Sequence, residues 1–191
     1  MNLKNLRNLI KLKQTLKSNY LSEIFPQLPT VLQFPITEKC NSKCMMCNIW
    51  KQKTIKEFTP LELDQILSDK LFENINSLGI NGGEPTLRKD LIEIIDVIIK
   101  KLPKCKNITF LTNGINYEKN LSTLLEINNK LTKNKINFSV SVSLDGVEEI
   151  HDQVRGVPGN FKAVEGLIDA LKKHEINVWC GSTITPKNVY W

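Results

Sequence analysis

Three cysteines, Cys40, Cys44 and Cys47, fall within eight residues at CxxxCxxC spacing, and the loop that carries them must be built around whatever they hold. Five cysteines, three of them crowded together, do not pair sensibly as a disulfide framework. In a reducing compartment clustered thiols more often bind metal. A structural zinc takes four tetrahedral ligands, and the next candidates, Cys105 and His151, lie far along the chain. Three thiolates instead suit a four-iron, four-sulfur cluster with one iron left open, because clusters of that type ordinarily take four cysteines. Cys105 and Cys180 stand alone and read as bystanders.

Around this loop the chain alternates between two hydrophobic periods. Short runs rich in β-formers at 31–36, 77–81, 108–111, 138–144 and 178–185 predict strands. In the fourth, Ser139, Ser141 and Ser143 alternate with Val140, Val142 and Leu144. The intervening stretches predict helices. Thr59-Pro60-Leu61-Glu62 offers an N-cap, a proline at the first helical position and a closing glutamate, for a helix reaching about Leu67. Asp90 with Glu93 predicts a second capping box, ahead of Leu91, Ile94, Ile95, Ile98 and Ile99 on one face. Residues 117–130 predict a third helix. Asn160 predicts the cap of a fourth, whose Phe161, Val164, Leu167, Ile168 and Leu171 share a face. Strand followed by helix, about five times over, indicates an α/β fold with a parallel sheet and right-handed crossovers. Such folds place active sites at the C-terminal ends of strands. The cysteine loop, Gly82-Gly83-Glu84-Pro85, Thr112-Asn113-Gly114 and Asp145-Gly146 all sit there.

A composition of 41% hydrophobic and 24% charged residues is ordinary for a soluble globular domain. No run approaches the ~20 apolar residues that span a bilayer, and residues 1–22 lack the apolar block and cleavage site of a signal peptide, so a cytoplasmic location is expected. The net charge of +6 is concentrated early, where Lys4, Arg7, Lys11, Lys13 and Lys17 precede Glu23. Leu3, Leu6, Ile10, Leu12 and Leu16 recur at roughly helical spacing. An amphipathic helix with solvated lysines is therefore preferred to a nucleic-acid or anionic-lipid contact. The organisation expected is a basic helix and connector over 1–30 and a catalytic core over 31–191.

CxxxCxxC resembles the signature of the radical S-adenosylmethionine (SAM) superfamily, and the three downstream segments, with Ser143-Leu144-Asp145-Gly146 as the last, resemble that family's later motifs in order and spacing. His151-Asp152-Gln153-Val154-Arg155-Gly156 is similar to a segment of the subgroup that includes peptide-modifying and cofactor-maturing members. The resemblance implies a partial (β/α)6 barrel, of which this chain holds about five units and lacks the C-terminal part. It also implies a 4Fe-4S cluster on Cys40, Cys44 and Cys47, with SAM chelating the open iron. Reduction by a carrier such as a flavodoxin or ferredoxin then cleaves SAM to methionine and a 5'-deoxyadenosyl radical, which abstracts hydrogen from a substrate, here unknown, with a peptide or cofactor precursor as the classes implied.

Further roles are implied residue by residue. Gly82, Gly83 and Pro85 would bring backbone close to the cofactor, with Glu84 accepting from the SAM amino group. Alone this tetrapeptide is only a turn. Met46 would lie against adenine, or simply pack. Ser143 and Asp145 would bind ribose hydroxyls, although alternating serines and an Asp-Gly turn also have a plain structural reading. Thr112 and Asn113 would face SAM, or only turn the chain. Arg155 would pair with the SAM carboxylate, and His151 would orient its neighbours rather than act as an acid or base. Thr185 and Asn188 echo a weaker segment after the fifth strand. Two other readings remain: a non-enzymatic iron–sulfur protein for electron transfer or assembly, which leaves the glycine-rich and ribose-side segments without a task, and an inactive fragment.

Overall fold

None of the five strands contains a charged residue: β1 is Val31–Pro35, β2 Ser77–Asn81, β3 Asn107–Thr112, β4 Asn137–Ser143 and β5 Asn177–Gly181. In the computed structural model, which describes residues 27–53 and 56–190, these strands pair in parallel in the order β1-β2-β3-β4-β5. Parallel neighbours cannot be joined by hairpins and need crossovers. The crossovers carry α1 (Pro60–Ile66), α2 (Leu91–Lys101), α3 (Tyr117–Lys133), a short α4 (Glu149–Arg155) and α5 (Asn160–Lys173). The helix expected near the N-terminus lies outside the described residues.

The two faces of the sheet differ. On one, Leu78, Ile80, Ile108, Phe110, Val140 and Val142 are sealed against Ile94, Ile95 and Ile98 of α2, Leu124, Ile127 and Leu131 of α3, and Val164, Leu167 and Leu171 of α5. Each such side chain contributes ~1.5–3 kcal/mol by leaving water. On the other face most of the alternate residues are polar, with Leu111 and the exposed Trp179 among them. Gln33, Ser77, Gly79, Asn81, Thr109, Leu111 and Ser141 line a cavity of about 260 Å³. Asn81 Nδ2 donates to Gln33 Oε1 at 3.1 Å, and the Thr109 and Ser139 hydroxyls lie 3.0 Å apart. Purely parallel sheets are normally covered on both faces. Among the described residues nothing covers this mostly polar face, which forms the inner wall of a barrel that these five strands leave open, with β1 and β5 at the edges.

Most elements fall where the periodicity places them. The Thr59 capping box is formed, with Thr59 N donating to Glu62 Oε2 at 2.7 Å and Glu62 N to Thr59 Oγ1 at 3.2 Å. Three expectations need correction. Asp90 stands at the N-cap of α2 without a side-chain cap, because both its oxygens are taken by Arg88, from Nε at 2.8 Å and Nη2 at 2.7 Å. A bidentate guanidinium outcompetes a neutral N–H for the carboxylate. Asn160 is the first residue of α5 rather than its cap. Gly159 takes the cap position at φ 79°, and Asp152 Oδ1 accepts from Phe161 N at 2.8 Å. β5 ends at Gly181, so residues 182–185 leave the sheet to serve the site.

Candidate cluster and cofactor site

The cysteine loop leaves β1 and is held from two sides by backbone. On one side Gly83 N donates to Thr37 O at 2.7 Å and Glu84 N to Lys39 O at 2.8 Å. On the other, Lys43 N donates to Arg155 O at 3.1 Å, Met45 N to Val154 O at 3.0 Å, and Ser42 Oγ to Arg155 O at 2.9 Å. Both approaches depend on glycine. A Cβ on Gly83 would stand 2.2 Å from Lys39 O, and one on Gly156, which is left-handed at φ 66°, 2.5 Å from Lys43 O. What the glycines admit in this structure is the cysteine loop itself. Two segments distant in sequence, 82–85 and 151–156, thus form a clamp whose jaws close on 37–47.

Within the loop Cys44 is buried, and Cys40 and Cys47 are half-buried. Burial pushes the Cys40 thiol up, against a hydrogen bond from the Ser42 backbone that lowers it. Among the described residues no three His, Cys, Asp or Glu side chains converge to hold a single ion. Met46 beside the last cysteine is half-buried and Met45 half-exposed.

Glu84 is 1% exposed and ties the ends of β2 and β3 together. Its Oε1 accepts from Thr86 N at 3.2 Å and Thr86 Oγ1 at 2.7 Å, and its Oε2 from Asn113 N at 2.7 Å. Thr112 Oγ1 donates to the same carboxylate, 3.0 Å from Oε1 and 3.1 Å from Oε2. Burial raises the Glu84 carboxyl above its ordinary range despite these bonds, because every partner is neutral. Thr112 also accepts from Gly114 N and from Asn120 Nδ2. Pro85 opens a short 3-10 turn behind the glutamate.

Asp145, after β4, is equally buried but has a charged partner. Oδ2 accepts from Arg155 Nη1 at 3.1 Å, and Oδ1 from Thr183 N at 2.7 Å. Its backbone N donates to His151 Nδ1 at 3.0 Å, so that nitrogen carries no proton and Nε2–H donates to Asn160 Oδ1 at 3.1 Å. Burial, reinforced by the Arg155 charge, lowers the His151 pKa while the Asn160 bond opposes it. Asn188 Nδ2 donates to Asp145 O at 2.8 Å, and its Oδ1 accepts from Thr185 N at 2.6 Å, which gives the segment after β5 its place in the same knot. Arg155 Nε is buried with no partner. Ser143 is half-buried on the polar face of the sheet.

The structure therefore brings Glu84, Thr112 and Asn113 to the cysteine loop, and gathers Asp145, His151, Arg155, Thr185 and Asn188 into a second group beside it. Sequence reasoning missed Arg88, which is buried and bridges Ile36 O at 2.6 Å, Phe58 O at 2.6 Å and Asp90. It also missed Ser42, and the inward use of Asn160. An arginine three residues past the predicted turn at 82–85 carried no local signal.

A parallel β/α sheet with an open polar inner face, and a three-cysteine loop clamped at the C-terminal end of its first strand, defines the class. The family model of the radical SAM superfamily matches residues 34–188, and the chain belongs to that superfamily. Its members are enzymes that use a 4Fe-4S cluster and SAM. The chain is 33% identical over 171 residues to the antilisterial bacteriocin subtilosin biosynthesis protein AlbA of Bacillus subtilis, covering 88% of this chain and 36% of the relative. It is 30% identical over 155 residues to a probable GTP 3',8-cyclase of Thermococcus kodakarensis, covering 80% and 47%. Among solved structures, native anSMEcpe with bound AdoMet and Cp18Cys peptide aligns with TM-score 0.59 at 26% identity over 78% of this chain and 41% of the other. Streptococcus suis SuiB bound to S-adenosylmethionine shares the fold at TM-score 0.56 and 18% identity, covering 97% and 47%. The chain spans about half or less of the length of these relatives. No helix among the described residues is long and apolar enough to cross a membrane.

Proposed function

We propose that this chain is the catalytic portion of a cytoplasmic radical SAM enzyme, with Cys40, Cys44 and Cys47 as the cluster ligands. The observation that supports this most is the double clamp, which fixes the backbone of a three-thiol loop at 37–47 between the 82–85 turn and the end of α4. The residues present fit the group. Three thiols leave one iron of a cubane open, and the unpartnered, buried Arg155 Nε beside the loop is a donor in want of an anion such as the SAM carboxylate. When bound and reduced, the cluster supplies the electron that cleaves the carbon–sulfur bond of SAM.

The chain's own share is positioning and exclusion of water. Gly82, Gly83 and Pro85 shape the turn that closes one jaw. Glu84, fully engaged with Thr86, Thr112 and Asn113, holds that turn to β3 rather than offering a free oxygen. Asp145 orients Arg155, and Ser143 and Met46 keep the ribose-side and adenine-side roles that the family resemblance implies for them. The open polar wall of the sheet receives the substrate, and the peptide and nucleotide relatives make a peptide or a cofactor precursor the classes to test. A flavodoxin or ferredoxin is the expected reductant.

The test is anaerobic reconstitution with iron and sulfide, reduction with dithionite, addition of SAM and quantification of 5'-deoxyadenosine against Cys44→Ala. Product in the native chain and none in the variant is expected. A cluster that forms without product would shift the reading to a non-enzymatic iron–sulfur protein.

A further inference from the structure

We infer that the Asn113 side-chain amide is a hydrogen-bond donor to the Cys40 sulfur, and that it sets the reduction potential of the cluster held there. The inference rests on the reading that these thiols hold a cluster. Asn113 is 3% exposed and every polar atom it carries has a partner. Its N donates to Glu84 Oε2 at 2.7 Å, its O accepts from Asn160 Nδ2 at 3.2 Å, and its Oδ1 accepts from Ile115 N at 3.1 Å. With Oδ1 fixed by a backbone donor, the amide can face only one way. Nδ2 then points at the cysteine loop, 2.8 Å from Asn41 Oδ1 and 3.9 Å from Cys40 Sγ. An amide has two hydrogens, so one serves Asn41 and the other is free for sulfur.

The other polar side chain against a ligand sulfur does not compete for this role. Ser42 Oγ lies 3.0 Å from Cys44 Sγ, but its single hydrogen is given to Arg155 O at 2.9 Å. Among the described residues Asn113 is thus the side-chain N–H aimed at a cluster ligand. Its position is maintained from behind, since Asn160 Oδ1 is in turn held by His151 Nε2–H and His151 by Asp145 N. The chain of bonds therefore runs from the Asp145 knot to the Cys40 sulfur.

Reduction adds negative charge to the cluster and its thiolates. A fixed N–H donor on one of those sulfurs stabilises the reduced form more than the oxidised, and so raises the potential. Asn113 is a positioning residue in this scheme, acting through Cys40.

The test uses the reconstituted 191-residue chain, with Asn113→Leu and Asn113→Asp beside it, and two readouts that need no turnover. In an EPR-monitored redox titration, at the poise where the native cluster is half reduced, the reduced-to-oxidised ratio falls about threefold to tenfold in Asn113→Leu. Tenfold is about 59 mV for a one-electron couple. Asn113→Asp keeps the oxygen that Ile115 N needs but replaces the donor by a carboxylate oxygen, and lowers the ratio further. In deuterium oxide, pulsed EPR of the reduced native cluster shows an exchangeable deuteron that both variants lack. Unchanged potential at native iron content in both variants overturns the inference and leaves the proposed function standing. If both variants fail to hold a cluster, absence of that deuteron in the native protein overturns it. A native chain that binds no cluster removes both readings together.

Discussion

Glu84 and Asp145 occupy comparable places, just past the ends of β2 and β4, and both are 1% exposed. They are buried by opposite means. Glu84 is surrounded by the hydroxyls of Thr86 and Thr112 and the N–H groups of Thr86 and Asn113, none of them charged. Asp145 faces Arg155 Nη1 and one backbone N–H. A carboxylate that accepts only from neutral donors pays its desolvation without a countercharge, which is why burial raises the Glu84 pKa. An ion pair spares Asp145 that isolation but makes two charged groups depend on each other. The first arrangement is sturdy and pH-sensitive, the second brittle.

The largest effect follows from that dependence. Asp145→Ala leaves the Arg155 guanidinium, whose side chain is 12% exposed, without its partner, and the apo protein should lose about 3–5 kcal/mol in urea unfolding. Adding Arg155→Ala in the same chain should recover part of that loss, because the stranded charge is gone. A double variant as unstable as the sum of the singles would show that the two groups do not act as a pair.

Glu84→Gln should cost less, about 1–3 kcal/mol, since a glutamine keeps one accepting oxygen but turns its NH2 toward donors that cannot accept it. A loss exceeding that of Asp145→Ala would break the comparison. Its pH dependence sharpens it. The folded state holds the Glu84 proton more tightly than the unfolded chain, whose glutamates titrate at about 4.3. Stability from this group is therefore complete below that value and is lost as pH rises through the raised folded pKa. Unfolding midpoints measured at rising pH should move in favour of Glu84→Gln relative to the native chain. A constant difference would mean that Glu84 titrates normally.

How much of this was legible in the sequence differs between the two regions. The strands were readable because Ile, Val, Phe and Leu recur with period two, and the Thr59 box because all its parts lie within four residues. The motif segments were readable as a set. Their contacts were not, because a clamp between Gly83 and Lys39, or between Gly156 and Lys43, joins positions that only the parallel topology brings together. Asp90 and Asn160 show the same limit from the other side. Each has the residue type of an N-cap, and each was drawn off by a stronger or more distant partner, Arg88 in one case and His151 with Asn113 in the other. Local propensity describes what a side chain does when nothing better is within reach. At a functional rim, something better usually is.

The smallest effect concerns His151, and it runs opposite in sign to Glu84. Nδ1 must remain unprotonated to accept from Asp145 N, and burial together with Arg155 lowers the His151 pKa below the ordinary value of about 6.5. The unfolded chain then binds the proton first as pH falls. Stability from this group is present above about 6.5 and is lost as pH drops toward the lowered folded pKa. At neutral pH nothing is seen. Between pH 7 and pH 5 the urea midpoint of the native chain should fall more steeply than that of His151→Gln, whose side chain does not titrate. Equal slopes would show that the imidazole gains its proton without disturbing Asp145. The Asp145 knot would then stand on Arg155, Thr183 and Asn188, and the chain of bonds from Asp145 to Asn113 would no longer depend on the histidine's protonation state.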